Sequence, residues 1–350
     1  MRIVSSHTYA EAISFQNLLQ AWQEFRIGKT KRRDVITFEK KLRESLGNLH
    51  KDLRLKKYKH APYSSFFIYD PKVRHISKAC VRDRVVHHAL FKVLTPIFEP
   101  TFILDSYSCR VGFGTHKGFQ KLVAYARKVS KNYTQDCWAL KCDVKKFFDS
   151  VNHEILLEIM RKRIQNEDLF WLVKEVVGSF QIERERERGL PIGNLTSQLF
   201  ANIYLNELDQ FVKHTLKVKY YVRYADDFML VNRDRKLLEK CLVDLSSFLE
   251  NKLLLKLHPN KVHLRKLSWG IDFVGYIALP HHQTIRTKTK RRLFKKVKWK
   301  VKEYRDGQIK PTALNQSIQS YMGILRHAKT YRLKQKLIKE INLELAKKKP

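Results

Sequence analysis

The stretch from Tyr220 to Val231 constrains the fold more than any other part of the chain. Two short runs of β-branched and aromatic residues flank the central residues Ala225, Asp226 and Asp227. This pattern predicts a β-hairpin with two adjacent carboxylates at its tip. Because Asp also suits tight turns, these residues taken alone favour an ordinary hairpin turn.

A second segment indicates a chemical role for the two carboxylates. Residues 138–144 also have the pattern of a strand, and Asp143 stands near its end. If the two strands are neighbours in one sheet, Asp143 and Asp226 converge on one point. Carboxylates that close repel each other unless a divalent cation lies between them, and Mg²⁺ prefers a few carboxylates together with substrate phosphates. We therefore predict a phosphoryl-transfer site with two Mg²⁺ ions, for which Mn²⁺ is a possible substitute.

Charge is the strongest global signal. The 350 residues include 70 Lys and Arg against 34 Asp and Glu, a formal net charge of +36. A surface that positive attracts polyanions, and nucleic acid is the natural partner. An anionic membrane fits less well, because the basic residues are spread over the whole chain and do not form one amphipathic face.

The length, the cysteines and the hydropathy bound the class of protein. The length suits two or three domains with a packed core. Five cysteines, an odd number without a Cys-x-x-Cys pair, predict reduced thiols. The chain has no apolar stretch of about 18 residues and no long apolar N-terminal segment. We therefore expect a soluble, cytoplasmic protein with no membrane partner.

The N-terminal third is predicted to be helical and basic. Apolar spacing indicates helices within residues 12–57, with a cationic loop at 28–33 that either contacts phosphate or is a solvated turn. Residues 64–76 predict a hairpin that carries Lys72 and Arg74 on one face, at positions i and i+2. Two such basic side chains suit a triphosphate or a template backbone, or simply face solvent on an edge strand.

Further elements follow from the same periodicities. A balanced Glu–Arg run at 183–188 is predicted to be a solvated arm or loop, and the turn at 189–194 either lies flat against a substrate or only begins a helix. A helix that directly follows the carboxylate hairpin indicates an α+β sheet. The predicted helices span 82–94, 195–216 and 236–253, and a further helix is expected to begin with Asn152 or Ser150 as its N-cap. A strand pair is expected at 269–277.

The composition changes near the C-terminus. From Ile285 to Pro350 there are 21 Lys and Arg against 4 Asp and Glu, with apolar residues at helical spacing. This pattern predicts a basic helical domain suited to gripping the backbone of a duplex.

Together these motifs resemble those of reverse transcriptases, over nearly the whole chain from Tyr58 onward. The Tyr224–Asp227 box resembles the most diagnostic motif of that family, Asp143–Phe148 its first catalytic-aspartate motif, and Phe273–Tyr276 its primer-grip strand. The resemblance implies an α+β right-hand polymerase fold whose palm has an antiparallel sheet. The implied domains are fingers at 1–135, a palm at 136–284 with a fingers-like insertion near 160–192, and a short basic helical thumb at 285–350.

The resemblance also implies roles for particular residues. It implies an RNA-directed DNA polymerase that uses an RNA template, a DNA or RNA primer and dNTPs. Asp143, Asp226 and Asp227 would bind the two Mg²⁺ ions, with the backbone carbonyl of Val144 as a further ligand. Lys261 would be a general acid toward the departing pyrophosphate, or else an ordinary solvated lysine. The implied substrate-contacting residues are Lys72, Arg74, Arg110, Ile192, Gly193, Gln198 and Phe148, the last as a steric gate against a 2′-hydroxyl.

One departure from the family pattern narrows the subfamily. Most reverse transcriptases have Gln-Gly-x-x-x-Ser-Pro where this chain runs Ile-Gly-Asn-Leu-Thr-Ser-Gln from Ile192 to Gln198. That pattern resembles the enzymes of diversity-generating retroelements, which copy a template-repeat RNA into cDNA and misincorporate opposite adenine. A small basic accessory protein subunit is then a further possible partner. The alternatives are a group II intron-like or host-defence reverse transcriptase, and a non-catalytic RNA-binding scaffold on a polymerase fold.

Overall fold

The N-terminal region is a group of helices packed on a central one. The computed structural model of the chain describes residues 8–69, 72–180 and 187–347. Hydroxyl side chains begin the first two helices, because Thr8 and Ser14 accept hydrogen bonds from backbone N–H groups of the first turns. The predicted helical character of residues 12–57 is confirmed. The helices are α1 (Tyr9–Ile13), α2 (Phe15–Arg26), α3 (Arg33–Lys40) and α4 (Leu42–Arg54).

An exposed hairpin follows these helices. Strands β1 (Ser64–Ile68) and β2 (Arg74–Lys78) pair antiparallel, which confirms the predicted hairpin. Lys72 precedes β2, so the prediction that Lys72 and Arg74 share one strand face is wrong. Asp70 and Pro71, which the sequence placed in the connecting turn, lie outside the described residues.

The next two helices join this region to the central sheet. Helix α5 (Val81–Phe98) is longer than the predicted 82–94 and is buried on most sides between α2 and a later helix. Pro96 lies within this helix, two residues before its last residue. Helix α6 (Thr115–Val129) packs on the carboxylate hairpin and its sheet.

The central sheet has four antiparallel strands. It consists of β3 (Trp138–Asp143), β4 (Tyr221–Tyr224), β5 (Asp227–Asn232) and β6 (His263–Lys266), in the spatial order β4-β5-β3-β6. The connecting helices are α7 (Phe147–Ser150), α8 (His153–Arg161), α9 (Glu167–Gly178), α10 (Leu195–Gln210) and α11 (Arg235–Lys252). A π-helical turn at Phe211–Thr215 extends α10, in agreement with the predicted 195–216. The Glu–Arg run at 183–188 lies mostly outside the described residues.

The central sheet separates two hydrophobic cores. Leu140 and Phe228 belong to the core shared with the N-terminal helices, whereas Ala139 and Met229 belong to the core on the other face. Successive strand residues point to opposite faces, so a sheet covered on both sides needs apolar residues at consecutive positions. Burial on both faces explains why the sequences of β3 and β5 are nearly continuous runs of apolar residues.

A small sheet and three helices complete the chain. Strands β7 (Ile271–Phe273), β8 (Tyr276–Leu279) and β9 (His282–Ile285) form an antiparallel meander, of which only the first two strands were predicted. The helices are α12 (Thr287–Arg305), α13 (Pro311–Leu325) and α14 (Tyr331–Ala346), as the C-terminal periodicity predicts. Val297 and Leu337 of these helices share a core with Phe273. Across the described ranges, no helix has the length and apolar character needed to cross a membrane.

Candidate active site

Strand register brings the predicted carboxylates together. Asp143 lies directly opposite Asp227 in the β3–β5 pairing, and Tyr224 pairs with Asp227 across the hairpin. Ala225 and Asp226 therefore form the two-residue turn, with Ala225 in the left-handed region at φ +52°. The N–H of Val144 donates a hydrogen bond to the Asp226 carbonyl oxygen at 3.2 Å. The two strand ends are thus joined at the point where the carboxylates meet.

A buried ion pair supports the hairpin from beneath. Arg223 is fully buried and binds both carboxylate oxygens of Asp209, at 2.7 and 2.5 Å. The same guanidinium donates a hydrogen bond to the Ala225 carbonyl oxygen at 3.1 Å. Because a buried charge is tolerated only when it is paired and hydrogen-bonded, this arrangement holds the turn in one conformation. Nothing in the local sequence pattern of the hairpin identified this partner.

Burial and mutual repulsion perturb the two hairpin carboxylates. Burial raises the pKa of Asp226, and the nearby negative charge of Asp143 raises it further. Burial also raises the pKa of Asp227 to about 7, although the ammonium group of Lys141 acts in the opposite direction. Oδ1 of Asp227 is buried without a hydrogen-bond partner among the described residues. Such a group is satisfied when a cation binds beside it.

Lysines face the same carboxylates. Nζ of Lys261 lies 2.5 Å from Oδ1 of Asp143, and Nζ of Lys141 lies 3.3 Å from Oδ2 of Asp227. Lys141 also donates a hydrogen bond to the backbone carbonyl of Asp272 at 3.0 Å. A cavity of about 520 Å³ opens beside this cluster, and its charged lining consists of Lys72, Lys141, Asp143, Asp227, Lys261, Arg265, Asp272, Arg286, Lys288 and Arg292.

The donor set fits Mg²⁺ bound jointly with a substrate. Within residues 8–69, 72–180 and 187–347, no three acidic, histidine or cysteine side chains form a ready-made metal cage. Mg²⁺ does not need one, because it commonly takes one or two carboxylates and completes its shell with water and substrate phosphates. The unpartnered oxygen of Asp227 and the repulsion between Asp143 and Asp226 are both relieved by a bound divalent cation, so the residues fit such an ion.

The chain is similar to a known family of proteins. A family model described as reverse transcriptase (RNA-dependent DNA polymerase) matches residues 59–278. The chain belongs to this family. The matched segment includes all three carboxylates and Lys261, and it is an RNA-directed DNA polymerase domain with the mixed α+β polymerase fold.

Several curated proteins are similar to this reverse transcriptase. Protein YkfC of Escherichia coli (strain K12) is 26% identical over 263 residues, which cover 62% of this chain and 67% of YkfC. The group II intron-encoded protein LtrA of Lactococcus lactis subsp. cremoris is 22% identical over 317 residues, or 71% of this chain and 48% of LtrA. The chain thus spans about two thirds of one relative and half of the other. Among solved structures, apo telomerase from Candida tropicalis has a TM-score of 0.49 at 13% identity, covering 67% of this chain and 58% of that chain.

The structure places the remaining predicted substrate residues in different surroundings. Lys72 lines the cavity of this reverse transcriptase, whereas Arg74 is exposed and is not part of the lining. The ring of Phe148 is partly exposed beside buried Phe147. Gln198 is exposed on the first turns of α10. The roles of Phe148 and Gln198 stay predictions, since neither belongs to the lining.

Ile192 and Gly193 lie against the β1–β2 hairpin. The Ile192 carbonyl accepts a hydrogen bond from the N–H of Ser77 at 3.0 Å. Gly193 has φ +117°, and a Cβ there would lie 2.9 Å from Cγ2 of Ile76. The buried amide of Asn194 donates to the Ser77 carbonyl at 2.8 Å and accepts from the N–H of Ala79 at 3.2 Å. These contacts join the predicted nucleotide-facing segment to β2.

Arg110 forms several contacts within the protein. Its side chain is 4% exposed and forms an ion pair with Glu99 at 2.7 Å. It also donates hydrogen bonds to the backbone carbonyls of Ile103 and Ser106. The Nε and Nη1 donors of Arg110 are thus used within the protein, and its role toward a triphosphate stays a prediction. The sequence showed a basic residue near glycines but not the carbonyls that surround it.

Sequence reasoning missed several residues of the site. Lys141 precedes Asp143 by two positions on a strand, so strand periodicity already places both on one face. The contributions of Asp272, Arg286 and Arg292 had no comparable local signal. They arise because the small sheet and α12 pack beside the central sheet.

Proposed function

We propose that this chain extends a DNA or RNA primer along an RNA template, using dNTPs, as the polymerase of a diversity-generating retroelement. One observation carries the catalytic part of the proposal: Asp143 and Asp227 face each other with Asp226 in the adjoining turn. Beside them lies a cavity rich in Lys and Arg, which suits a triphosphate and nucleic acid. Copying is proposed to be error-prone at template adenines.

The residues of the chain have distinct roles in this reaction. The carboxylates of Asp143 and Asp226 and the carbonyl of Val144 would hold two Mg²⁺ ions, or Mn²⁺ in their place, with Asp227 as an outer or occasional ligand. When bound, such ions supply electrostatic stabilisation of the attacking and leaving oxygens of an in-line displacement. Lys261 holds a proton at Nζ for the departing pyrophosphate.

Two further side chains select and orient the nucleotide in this proposal. Lys72 presents positive charge to the triphosphate from the cavity wall. The ring of Phe148 excludes a 2′-hydroxyl from the space under the sugar. Both roles rest on steric or charge complementarity and need no proton transfer.

The subfamily part of the proposal rests on Ile192. In most of the family a glutamine at this position helps to place the nascent base pair, and a branched apolar side chain cannot form that hydrogen bond. A small basic accessory protein subunit belongs to the same proposal. A group II intron-like function is the second candidate, and the similarity to LtrA is the observation that favours it.

Primer extension on an RNA template tests the catalytic part. We expect dNTP incorporation in Mg²⁺ by the unmodified protein and its loss in Asp143→Asn and Asp226→Asn, because each substitution removes a charge that the ions need. Asp149→Asn is the matched control, since Asp149 is an exposed aspartate on α7. RNA binding without incorporation by the unmodified protein would instead support a non-catalytic scaffold.

Deep sequencing of the cDNA tests the subfamily part. We expect errors concentrated opposite template adenines. A uniformly accurate product would contradict the retroelement proposal and favour the group II-like candidate.

A further inference from the structure

A second basic surface lies away from the catalytic cavity. A groove of about 580 Å³ forms where the end of α6, the β8–β9 turn and the α13–α14 loop meet, and it is lined by Arg127, Arg326 and Lys329 among others. A neighbouring depression of about 750 Å³ shares Lys329 with the groove and adds Lys290, Arg332, Lys334 and Lys336. These seven cations form the basic track, which runs across both depressions.

The cations of the basic track are not neutralised by the protein. The linings of both depressions contain no Asp or Glu, and none of the seven cations forms an ion pair within the described part of the chain. By contrast, the four acidic residues of the C-terminal helices, Glu303, Asp306, Glu340 and Glu344, all pair with lysines or arginines elsewhere. The catalytic cavity differs too, because its cations are mixed with carboxylates. A surface of cations without carboxylates attracts polyanions.

The groove is pre-formed. Gln283 joins its three walls, since its side chain accepts a hydrogen bond from Gln120 at 3.1 Å and its carbonyl accepts one from the N–H of Lys329 at 3.0 Å. The rings of Tyr133 and His281 are in contact, with centroids 4.7 Å apart. Both residues have positive φ, +72° and +62°, a conformation that is costly for side chains other than glycine. Pre-formed and strained loops of this kind are typical of binding sites.

Helix α12 separates the basic track from the catalytic cavity. Lys288 and Arg292, one turn apart, line the catalytic cavity, whereas Lys290 lines the track. Two residues along an α-helix correspond to a rotation of about 200°, so these cations face opposite sides. A nucleic acid in the track therefore lies on the side of α12 away from the three carboxylates.

An exposed aromatic ring accompanies the cations. Tyr331 begins α14 in the second depression and is 75% exposed. An exposed ring within a positive groove is the combination that binds unpaired bases by stacking while the cations bind the backbone. A duplex would not use the ring, because its bases are already stacked.

We propose that the basic track binds a single strand of nucleic acid outside the catalytic cavity. The proposal rests on the proposed function only in naming RNA as the expected strand. The chemistry of phosphate and unpaired base is common to RNA and single-stranded DNA, and the experiment below separates them.

Binding of fluorescent oligouridylate and oligothymidylate of equal length, measured without Mg²⁺, tests the proposal. We expect Arg326→Gln combined with Arg332→Gln to weaken binding by roughly twofold to thirtyfold. The logarithmic salt slope should fall by about 1.4, from about 0.7 for each single-strand phosphate contact. Lys41→Gln with Arg43→Gln is the matched control, as it removes two exposed charges near the N-terminus. Equal losses in the two pairs would overturn the proposal, since they would reflect net charge alone.

The aromatic ring provides an independent measurement at constant charge. Tyr331→Leu should weaken oligonucleotide binding roughly fivefold, whereas Tyr331→Phe, which keeps the ring, should not. Equal binding by the two variants would overturn the stacking role and with it the single-strand assignment. An effect confined to oligouridylate would assign the track to RNA, and equal effects would assign it to single strands in general. Because the assay involves neither polymerisation nor Mg²⁺, its result does not depend on the catalytic proposal, and failure of the two proposals remains distinguishable.

Discussion

Lys261 and Asp143 form a close ion pair, with Nζ 2.5 Å from Oδ1. In the proposed function, Asp143 would hold a metal ion and Lys261, which lines the same cavity, would carry a proton for the departing pyrophosphate. An ammonium group this close to Asp143 would oppose metal binding and favour proton donation. Substitution of Lys261 separates these two expected effects.

Lys261→Met should lower the Mg²⁺ concentration required for half-maximal activity, because Asp143 loses its competing cation. The maximal rate should fall by roughly a hundredfold to ten-thousandfold if Lys261 protonates the departing pyrophosphate. Lys261→Arg should keep the charge but donate a proton poorly. Magnesium titrations of single-nucleotide incorporation measure both quantities, and an unchanged maximal rate in Lys261→Met would leave Lys261 without a catalytic role.

Lys288 and Arg292 of α12 are expected to contact the primer–template duplex, because both line the catalytic cavity. Lys288→Gln with Arg292→Gln should reduce the salt slope of duplex binding by about 1.8, from about 0.9 for each phosphate contact. Arg291→Gln with Lys295→Gln is the control on the same helix with the same spacing, and these exposed residues do not line the cavity. Binding titrations over a range of salt concentrations should show a larger change for the first pair. Indistinguishable slopes would contradict the assignment of this face to the duplex.

Ile192→Gln should reduce misincorporation, most visibly opposite template adenine. One neutral hydrogen bond contributes about 0.5–1.5 kcal/mol, and about 1.4 kcal/mol corresponds to a tenfold change in rate, so the expected reduction is roughly twofold to tenfold. Correct incorporation should change much less. Ile192→Val, which keeps a branched apolar side chain, is the control, and sequencing of cDNA from one RNA template compares them. If Ile192 only packs at the start of α10, Ile192→Gln will lose activity or stability without a change in its error spectrum.

His87 makes the fold sensitive to acid. Its buried ring accepts a hydrogen bond from the Thr196 hydroxyl at 2.5 Å and donates to His60 at 3.1 Å. His60 must accept at Nε2, because its Nδ1 donates to the Ala61 carbonyl at 2.6 Å. Burial, together with the nearby His60, lowers the pKa of His87 to about 3.

The sign of the pH effect follows from this lowered pKa. In the unfolded chain His87 titrates near 6.5, so its contribution to stability is complete above that pH and is lost as the pH falls toward 3. Between pH 7 and pH 5 the loss amounts to about 2 kcal/mol. His87→Asn should be less stable than the unmodified protein at pH 7 but should lose about 2 kcal/mol less on acidification. Urea unfolding at both pH values measures these free energies. His214→Asn is the control, because His214 is exposed, and this variant should lose as much stability on acidification as the unmodified protein does.

Local patterns in the sequence determined most of the strands and helices and the three carboxylates. Asp226 and Asp227 are recognisable because β-branched and aromatic residues flank a turn, and Asp143 because it ends an apolar strand. Strand and helix periodicities are properties of consecutive residues, so they can be read without knowing what packs against them. The motifs from Asp143 to Tyr276 likewise placed the chain in its family before any strand was paired.

Tertiary structure alone decided which charges are available to a ligand. Arg110 and Arg223 are both arginines in polar-looking segments, yet the fold buries each against partners distant in the chain. Lys288 and Lys290 differ by two positions, yet α12 turns one toward the catalytic cavity and the other toward the basic track. The physical reason is that long-range packing decides whether a charged side chain pairs with other residues of the protein or stays accessible to a ligand. The spacing of residues along the chain does not encode that packing.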